Sequence, residues 1–277
     1  MKFILNDLAI ETTRRCNMKC EHCMRGLSQN IDITPALIDM IFDNAEIASI
    51  NHICFSGGEP TLNPNIIIYT INKIINENLD VAEIAMVTNG QIFNKDLADA
   101  FNRFNDYRNQ KTKEQLKMHY SKLDEEILDG LIQANTNSHV RITFSNDRFH
   151  YPIRQEVKDS YKKMCKGARI TEYAVDDKDI YKTGFANTGK NFDYKLDQIN
   201  YCKDGDFYFV IGNIYITATG YMTSEGMGEY TDMDRLNMGH ISDTTLQEAL
   251  SKYGNPVFNT PKIVYNELDE RSNKKRV

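Results

Sequence analysis

The sequence has 277 residues, of which 41% are hydrophobic and 26% are charged. This length suits one large α/β domain, or a domain with a small appendage. The formal net charge of −6 disfavours phosphate backbones as partners, so we do not expect nucleic acid binding. No apolar run approaches the length of a membrane span, and Asn6 and Asp7 interrupt the start before a signal-peptide core, so we expect a cytoplasmic protein without membrane attachment.

The first predicted strand, residues 3–13, runs directly into three closely spaced cysteines, Cys16, Cys20 and Cys23. In a reducing compartment such a group indicates metal or redox chemistry. Three thiolates can each hold one iron of a [4Fe-4S] cluster, which leaves the fourth iron open. A zinc site that adds His22 stays an alternative, although sequence neighbours rarely reach one tetrahedral ion together. Three merely buried cysteines fit this polar segment poorly.

Downstream of the cysteines, helices alternate with short apolar strands. Thr34-Pro35 is a helix-start signal, and residues 93–136 read as helical with an insertion near 105–120. The predicted strands are 52–56, 82–89, 140–145, 168–175 and a sixth at 180–186; the other predicted helices are 35–49, 66–78 and 153–165. Strands separated by helices in this way predict βα units and a parallel sheet.

The composition shifts after residue 187. Residues 207–224 have β-hairpin character, with turn signals at Gly212-Asn213 and at Gly220, and residues 242–254 read as a capped helix. We therefore predict a core domain over residues 1–190 and a small α+β extension over 195–277.

The Cys-x3-Cys-x2-Cys spacing and the later stretch FSGGEP (55–60) together resemble the radical S-adenosylmethionine (SAM) superfamily. The resemblance covers roughly residues 5–190 and implies a partial (β/α)6 TIM-like barrel with its chemistry at the carboxyl ends of the strands. It implies that Cys16, Cys20 and Cys23 hold a [4Fe-4S] cluster. It also implies that the glycine-rich stretch binds SAM, through Gly57, Gly58, Glu59 and Pro60.

Two further strand ends agree with the resemblance. The family lines its SAM pocket where TNG stands here, which makes Thr88 and Asn89 candidates. A polar group after the fourth strand commonly meets the ribose, which points to Ser145 and, less directly, to Asn146 or Asp147. In TGFANTG (183–189), Phe185 replaces an arginine of some relatives, so that contact is not carried over.

The C-terminal residues resemble the SPASM or twitch extension that holds additional clusters in relatives. The cysteine expected after the hairpin is missing, and Ser224 stands near its place. We predict no auxiliary cluster, with a degenerate one that uses Cys202 as the alternative. Cys54 and Cys165 are expected to be packing residues.

As a radical SAM enzyme, the protein is expected to take an electron from a flavodoxin- or ferredoxin-like donor and to cleave SAM to a 5′-deoxyadenosyl radical. The radical then abstracts hydrogen from a peptide, a protein or a small molecule. This chemistry belongs mostly to the cofactors, so no catalytic side chain is assigned. We expect structural or surface roles for His119, His139 and His150. A zinc-stabilised binding module and a non-catalytic iron–sulfur scaffold remain the alternative functions.

Overall fold

The computed structural model describes residues 2–43, 46–136, 138–176, 179–187, 189–224, 226 and 228–257. The end of the predicted extension, residues 258–277, lies outside the described residues. Five parallel strands form one half of the main sheet in chain order: β1 (Lys2–Thr13), β2 (Ile47–Gly57), β3 (Val81–Thr88), β4 (Val140–Ser145) and β5 (Arg169–Tyr173). The helices between them are α1 (Pro35–Asp43), α2 (Pro64–Asn76), α3 (Lys95–His119), α4 (Glu125–Asn135) and α5 (Gln155–Met164).

Alternation along the strands separates an apolar face from a polar face. Ile53 and Phe55 of β2 and Ile84 of β3 are fully buried in the core that the helices cover. The residues between them face the other side of the sheet, where Asp7 of β1 pairs with His52 of β2 at 3.0 Å. This face is polar near the middle of the strands and leads to the carboxyl ends. The predicted α/β class with a parallel-dominated sheet is therefore confirmed.

The predicted sixth strand does not join the main sheet. Within the described residues, β6 (Tyr181–Lys182) is two residues long and pairs with β7 (Lys190–Asn191) in a separate sheet. The chain beyond β6 turns toward the cysteine loop instead, because the Phe185 N–H donates to the Cys23 carbonyl at 2.8 Å. Residues 183–186 therefore support the loop rather than extend the sheet.

The C-terminal strands continue the same sheet on the other side of β1. Strand β9 (Phe207–Ile216) pairs parallel with β1, and β8 (Ile199–Asp204) pairs antiparallel with β9. The strand β10 (Met222–Thr223), the helices α6 (Tyr230–Arg235) and α7 (Leu246–Tyr253) and the strand β11 (Gly254–Pro256) complete this part. The division at residues 190–195 stays a prediction.

One of the two predicted turns in this region is wrong. Gly212 and Asn213 lie inside β9. Leu5 of β1 pairs with Val210 and Asp7 pairs with Asn213, so β9 has one residue more than β1 over this interval, and Gly212 and Asn213 lie at a β-bulge. The turn at Gly220 is confirmed, with a φ of +89° at the glycine. A capping box between Thr245 and Glu248 begins α7, as the predicted capped helix requires.

The helical insertion is a pair of helices. The 25-residue helix α3 buries Leu97, Phe101 and Phe104 in its first half, whereas Met118 near its end is 78% exposed. Helix α3 starts just after β3 ends and runs back along the sheet, so its exposed end lies away from the carboxyl ends of the strands. None of the described helices combines the length and the hydropathy needed to cross a bilayer.

Candidate active site

The cysteines lie on a loop whose ends are held together. The Arg14 N–H donates to the Ile31 carbonyl at 2.8 Å, which closes the segment between them. Inside this closure, the Ser28 hydroxyl accepts from the Cys16 N–H at 3.0 Å and donates to the Arg14 carbonyl at 3.2 Å. The loop therefore has a fixed start, although it contains no helix or strand between these residues.

A cavity of about 280 Å³ opens where the parallel strands end. The last residues of β2, β3, β4 and β5, which are Gly57, Thr88, Ser145 and Tyr173, all line it. Most of the predicted site residues share this cavity: Cys16, Cys20, Cys23, Gly57, Gly58, Glu59, Thr88, Asn89 and Ser145. Their binding roles remain predictions, because the cavity establishes their proximity alone.

Three predicted residues, Pro60, Asn146 and Asp147, are not among those that line the cavity. Pro60 is buried at the start of the short 3-10 turn Pro60–Leu62. The side chain of Asn146 donates to the Glu172 carboxylate at 2.6 Å instead. Ser145 is therefore the best placed of the three residues proposed for the ribose.

The three thiols are half-buried and free of disulfides. Burial raises the pKa of Cys20 to about 12, with smaller contributions from the neighbouring Cys23 and Cys16. Burial also raises the pKa of Cys16. Without a bound metal Cys16 and Cys20 are therefore thiols near pH 7, and a metal that binds them must displace their protons.

The spacing of the thiols fits a cluster better than a single ion. A zinc ion with bonds of about 2.0–2.3 Å draws its ligand atoms to within about 4 Å of one another. Among the described residues, the sulfur atoms of Cys16, Cys20 and Cys23 do not all lie within 4.8 Å of one another. A four-iron cluster, which puts one iron at each thiolate, accommodates a wider separation.

The glycines of FSGGEP allow two backbone segments to touch. The Gly58 N–H donates to the Thr13 carbonyl at 2.7 Å, and the Glu59 N–H donates to the Arg15 carbonyl at 2.8 Å. A Cβ on Gly57 or Gly58 would lie well inside 3.0 Å of these carbonyl oxygens. Gly57 also has a φ of +134°, a conformation that L side chains rarely adopt. The glycines therefore fix the end of β2 against the start of the cysteine loop.

Glu59 is a buried carboxylate with four donors. Its Oε1 accepts from the Thr61 N–H at 3.0 Å and from the hydroxyls of Thr61 and Thr88 at 2.6 and 2.7 Å. Its Oε2 accepts from the Asn89 N–H at 2.8 Å. Burial raises the pKa of the Glu59 carboxyl, and the four hydrogen bonds, which lower it, offset only part of this rise. Because Oε2 takes a single bond, it keeps capacity for one further donor in the cavity.

Asn89 connects the third strand to the cysteine loop. Its side-chain amide donates to the Asn17 side chain at 2.8 Å, and its own N–H is held by Glu59. Gln91 N–H in turn donates to the Asn89 side-chain oxygen at 3.1 Å. The stretch TNG therefore ties the Glu59 carboxylate to the residue after Cys16.

The sequence prediction missed an aromatic cluster beside Cys20. The His22 ring stacks on Phe149 at 4.6 Å between centroids, and His150 lies edge-on at 5.0 Å. Asp147 accepts from the Phe149 N–H at 3.0 Å and pairs with the His150 ring at 2.9 Å. The ligand atoms of Cys20, His22 and His150 all lie within 4.8 Å of one another.

The expected structural role of His150 is therefore incomplete, because this residue lines the cavity with the cysteines. Its sequence position gave one signal, since it follows the fourth strand at the same end of the sheet. Burial lowers the pKa of His22 by more than the negative charge of Asp147 raises it. The imidazole of His22 is thus neutral near pH 7. Arg25 and Tyr173 also line the cavity and were not predicted.

Among the other cysteines, Cys165 and Cys202 are buried and Cys54 is half-buried. Cys165 packs in the main core, as predicted. Cys54 instead packs on the polar side of the sheet, next to the cluster that includes Ala9 and Tyr215. The predicted packing role of Cys54 therefore holds, but on the opposite face of the sheet from Ile53 and Phe55, because side chains alternate along the strand.

Residues 10–110 match the radical SAM superfamily. A GTP 3′,8-cyclase from Clostridium acetobutylicum is 37% identical over 92 residues, which are 31% of this chain and 28% of that protein. The same enzyme from Desulforamulus reducens is 31% identical over 94 residues, which are 32% of this chain and 28% of that protein. The chain spans a little over a quarter of the length of these curated relatives.

Solved structures with a similar arrangement include anSMEcpe with bound AdoMet, at a TM-score of 0.45 and 13% identity, covering 89% of this chain and 77% of that chain. SuiB of Streptococcus suis bound to the precursor peptide SuiA has a TM-score of 0.40 and 11% sequence identity, and the match covers 92% of this chain and 66% of that chain. Identities this low do not transfer a substrate. The three-cysteine motif lies inside residues 10–110, the part of the chain that matches the radical SAM superfamily, whose enzymes use a [4Fe-4S] cluster and S-adenosylmethionine.

Proposed function

We propose that the protein is a radical SAM enzyme that removes a hydrogen atom from its substrate. One observation carries the proposal: the three thiols and the Glu59 carboxylate line a single cavity at the carboxyl ends of the strands. A metal-binding loop alone would not need a buried carboxylate with remaining acceptor capacity beside it. A cofactor that presents an ammonium to Glu59 while it ligates a metal uses both features.

In this proposal each part of the cavity has one task. Cys16, Cys20 and Cys23 release their protons and ligate three irons of the cluster. Glu59, held by Thr88 and Asn89, accepts from the ammonium of SAM. When bound, the reduced cluster and SAM supply the hydrogen-atom abstraction and leave methionine and 5′-deoxyadenosine.

The substrate is proposed to be a peptide or a small molecule that approaches from the open side of the cavity. At about 280 Å³ the cavity is at the lower limit for sites that enclose one small molecule. A larger substrate therefore has to contact the mouth, where Tyr173 is 55% exposed. We also propose a flavodoxin- or ferredoxin-like electron donor, and a reducing compartment such as the cytoplasm, because the six cysteines are free thiols.

The test is anaerobic reconstitution with iron and sulfide, then reduction with dithionite in the presence of SAM. We expect about four irons and four sulfides per chain, and 5′-deoxyadenosine as a product. Cys20→Ala should lose the cluster and the product together, whereas Cys165→Ala, which changes a core cysteine, should keep both. A reconstituted cluster that never yields 5′-deoxyadenosine would favour a non-catalytic scaffold.

A single-metal site is the second candidate, because Cys20, His22 and His150 form a compact ligand group. Histidine and cysteine in such a group suit zinc. Metal analysis of the protein purified without oxygen separates the two proposals. One zinc per chain that resists exchange for iron and sulfide, and that is lost in His150→Ala, supports the zinc site. Iron that is retained in His150→Ala supports the cluster.

A further inference from the structure

Two arginines flank the three cysteines, and both contact the C-terminal part of the chain. Arg14, just before the loop, is 1% exposed. Its guanidinium contacts Asp234 through two nitrogens at 2.7 and 2.6 Å, and its Nε donates to Glu11 at 2.9 Å. With two carboxylates in contact, the charge of Arg14 is compensated.

Arg25, two residues after Cys23, has a different environment. It donates to the Tyr215 hydroxyl at 3.1 Å, to the Gly228 carbonyl at 3.3 Å and to the Met233 sulfur at 3.0 Å. Its guanidinium also lies 5.2 Å from the centre of the Tyr215 ring. All of these partners are neutral, and the ion pairs found in the described ranges do not include Arg25.

The two arginines belong to one continuous network. The Tyr215 hydroxyl, which accepts from Arg25, donates to Glu11 at 3.3 Å. The same carboxylate accepts from Arg14 and from the Ala218 N–H, at 2.9 and 2.7 Å. We call these residues the arginine network: Glu11, Arg14, Arg25, Tyr215 and Asp234. It joins the residues on both sides of the three cysteines to β9 and α6.

A cation among neutral partners needs a counter-charge nearby. Glu11 supplies part of it through the Tyr215 hydroxyl. The other candidate is the cavity itself, because Arg25 lines it together with the three thiols. Thiolates that hold an iron–sulfur cluster place negative charge there, and one-electron reduction adds to that charge. A fixed cation in a partly buried position stabilises the reduced form more than the oxidised form.

We infer that Arg25 is a positioning residue whose charge, fixed by the arginine network, raises the reduction potential of the bound cluster. The inference rests on the proposed function, since it requires the cluster. It assigns to the C-terminal residues a direct influence on the cysteine loop: β9 and α6 hold the cation that faces it.

The test compares cluster potentials in variants that carry the same iron and sulfide content. Arg25→Met and Arg25→Gln remove the charge, and the second keeps an amide donor. Arg25→Lys keeps the charge. Arg235→Met is the matched control, because it removes an arginine of helix α6 that is 69% exposed and pairs with Asp232. Each protein is reconstituted, titrated with dithionite against redox mediators, and followed by electron paramagnetic resonance of the reduced cluster.

We expect the neutral variants to show a potential more negative by about 59 mV, a tenfold change in the one-electron reduction equilibrium. Arg25→Lys should recover at least half of that shift, and Arg235→Met should match the wild type. Equal potentials in the wild type and in both neutral variants overturn the inference, even if those variants melt at lower temperature. If Arg25→Met does not fold, Arg25→Gln decides. A wild-type chain that takes up no cluster overturns the proposed function, and the inference with it.

Discussion

Glu59 shows how one side chain can prepare a site before its ligand arrives. Its carboxylate is 1% exposed and has four hydrogen-bond donors. Burial raises its pKa, so ionisation has a cost that the donors only partly offset. A cationic ligand group at the remaining acceptor position would reduce this cost further. The residue therefore favours an ammonium over a neutral ligand.

Glu59→Gln should weaken SAM binding and leave the cluster intact. The variant loses a charge-assisted hydrogen bond of about 1.5–3 kcal/mol, which corresponds to roughly a tenfold to hundredfold weaker affinity. Equilibrium dialysis of SAM against the reconstituted protein measures this change, and iron and sulfide analysis checks the cluster. Glu156→Gln, at a side chain that is 66% exposed, is the control. An unchanged affinity in Glu59→Gln would exclude the proposed contact.

Cys54 should resist alkylation in the folded protein. Burial raises its pKa to about 11, while the charge of Arg141 lowers it and the charge of Asp7 raises it by smaller amounts. At pH 8 roughly one thiol in a thousand is then ionised, against about one in four for an unfolded cysteine with a pKa of about 8.5. We expect iodoacetamide to react at Cys54 about two hundred times more slowly than in urea, as measured by mass spectrometry of peptides. The protection should decrease as the pH rises toward 11, and equal rates at pH 8 in buffer and urea would contradict this environment.

At the scale of single residues, the sequence identifies those whose spacing along the chain indicates a cofactor site. Three cysteines within eight positions and the Gly-Gly-Glu stretch can be recognised without coordinates. His150 and Arg25 cannot, because their importance comes from tertiary contacts: His150 approaches Cys20 from another strand end, and Arg25 is oriented by Tyr215. No local pattern distinguishes such residues from ordinary polar ones.

Among the elements, the junction between β2 and the cysteine loop sets the geometry of the site. The Gly58 backbone lies against Arg15, so a methyl group at Gly58 has no room. Gly58→Ala should therefore lower the free energy of unfolding by about 2 kcal/mol or more, because the added atom forces the backbones apart. Thermal unfolding of the metal-free protein followed by circular dichroism measures the loss.

Gly130→Ala is the matched control for that substitution. Gly130 lies in α4, and a Cβ there meets nothing within 4 Å. In a helix interior this change should stabilise by roughly 0.5–1 kcal/mol. If both variants unfold at the same temperature as the wild type, the close approach at Gly58 does not constrain the fold.

The element boundaries show where periodicity suffices and where it does not. Strand β4 and helix α2 follow from their apolar patterns. The segment 180–186 has a strand-like composition, yet the Gly184 backbone lies against Cys23 and Gly26, and a loop results. Gly212 and Asn213 form a turn signal, but β9 continues its pairing with β1 through them and forms a β-bulge instead of a turn. In both cases a tertiary contact outweighs the local preference.

At the scale of the whole molecule, β1 has partners on both sides. Strand β2 pairs with one edge and β9, two hundred residues later in the chain, pairs with the other. Val210, Ile214 and Ile216 of β9 belong to the same core as Leu5 and Ile10 of β1. Such a pairing between distant segments cannot be read from local pattern, which is why the sequence predicted a separate extension.

A chain that ends at residue 195 should therefore not fold as an independent domain. Truncation exposes the long β1 edge from Lys2 to Ile10, together with its buried apolar side chains, and an unpaired edge of this kind favours aggregation. It also removes Asp234 and leaves Arg14 with one carboxylate partner among those described. We expect aggregates in size-exclusion chromatography and no cooperative thermal transition.

Full-length Asp234→Asn separates the two effects of that truncation. It weakens the contact with Arg14 but keeps β9, so it should stay monomeric and unfold cooperatively at a lower temperature than the wild type. If the truncated chain were instead monomeric, with a sharp transition and a reconstituted cluster, residues 1–195 would be a self-sufficient core. The loss of β9 would then cost little, and the control of the cysteine loop by β9 and α6 would concern its redox properties rather than its folding.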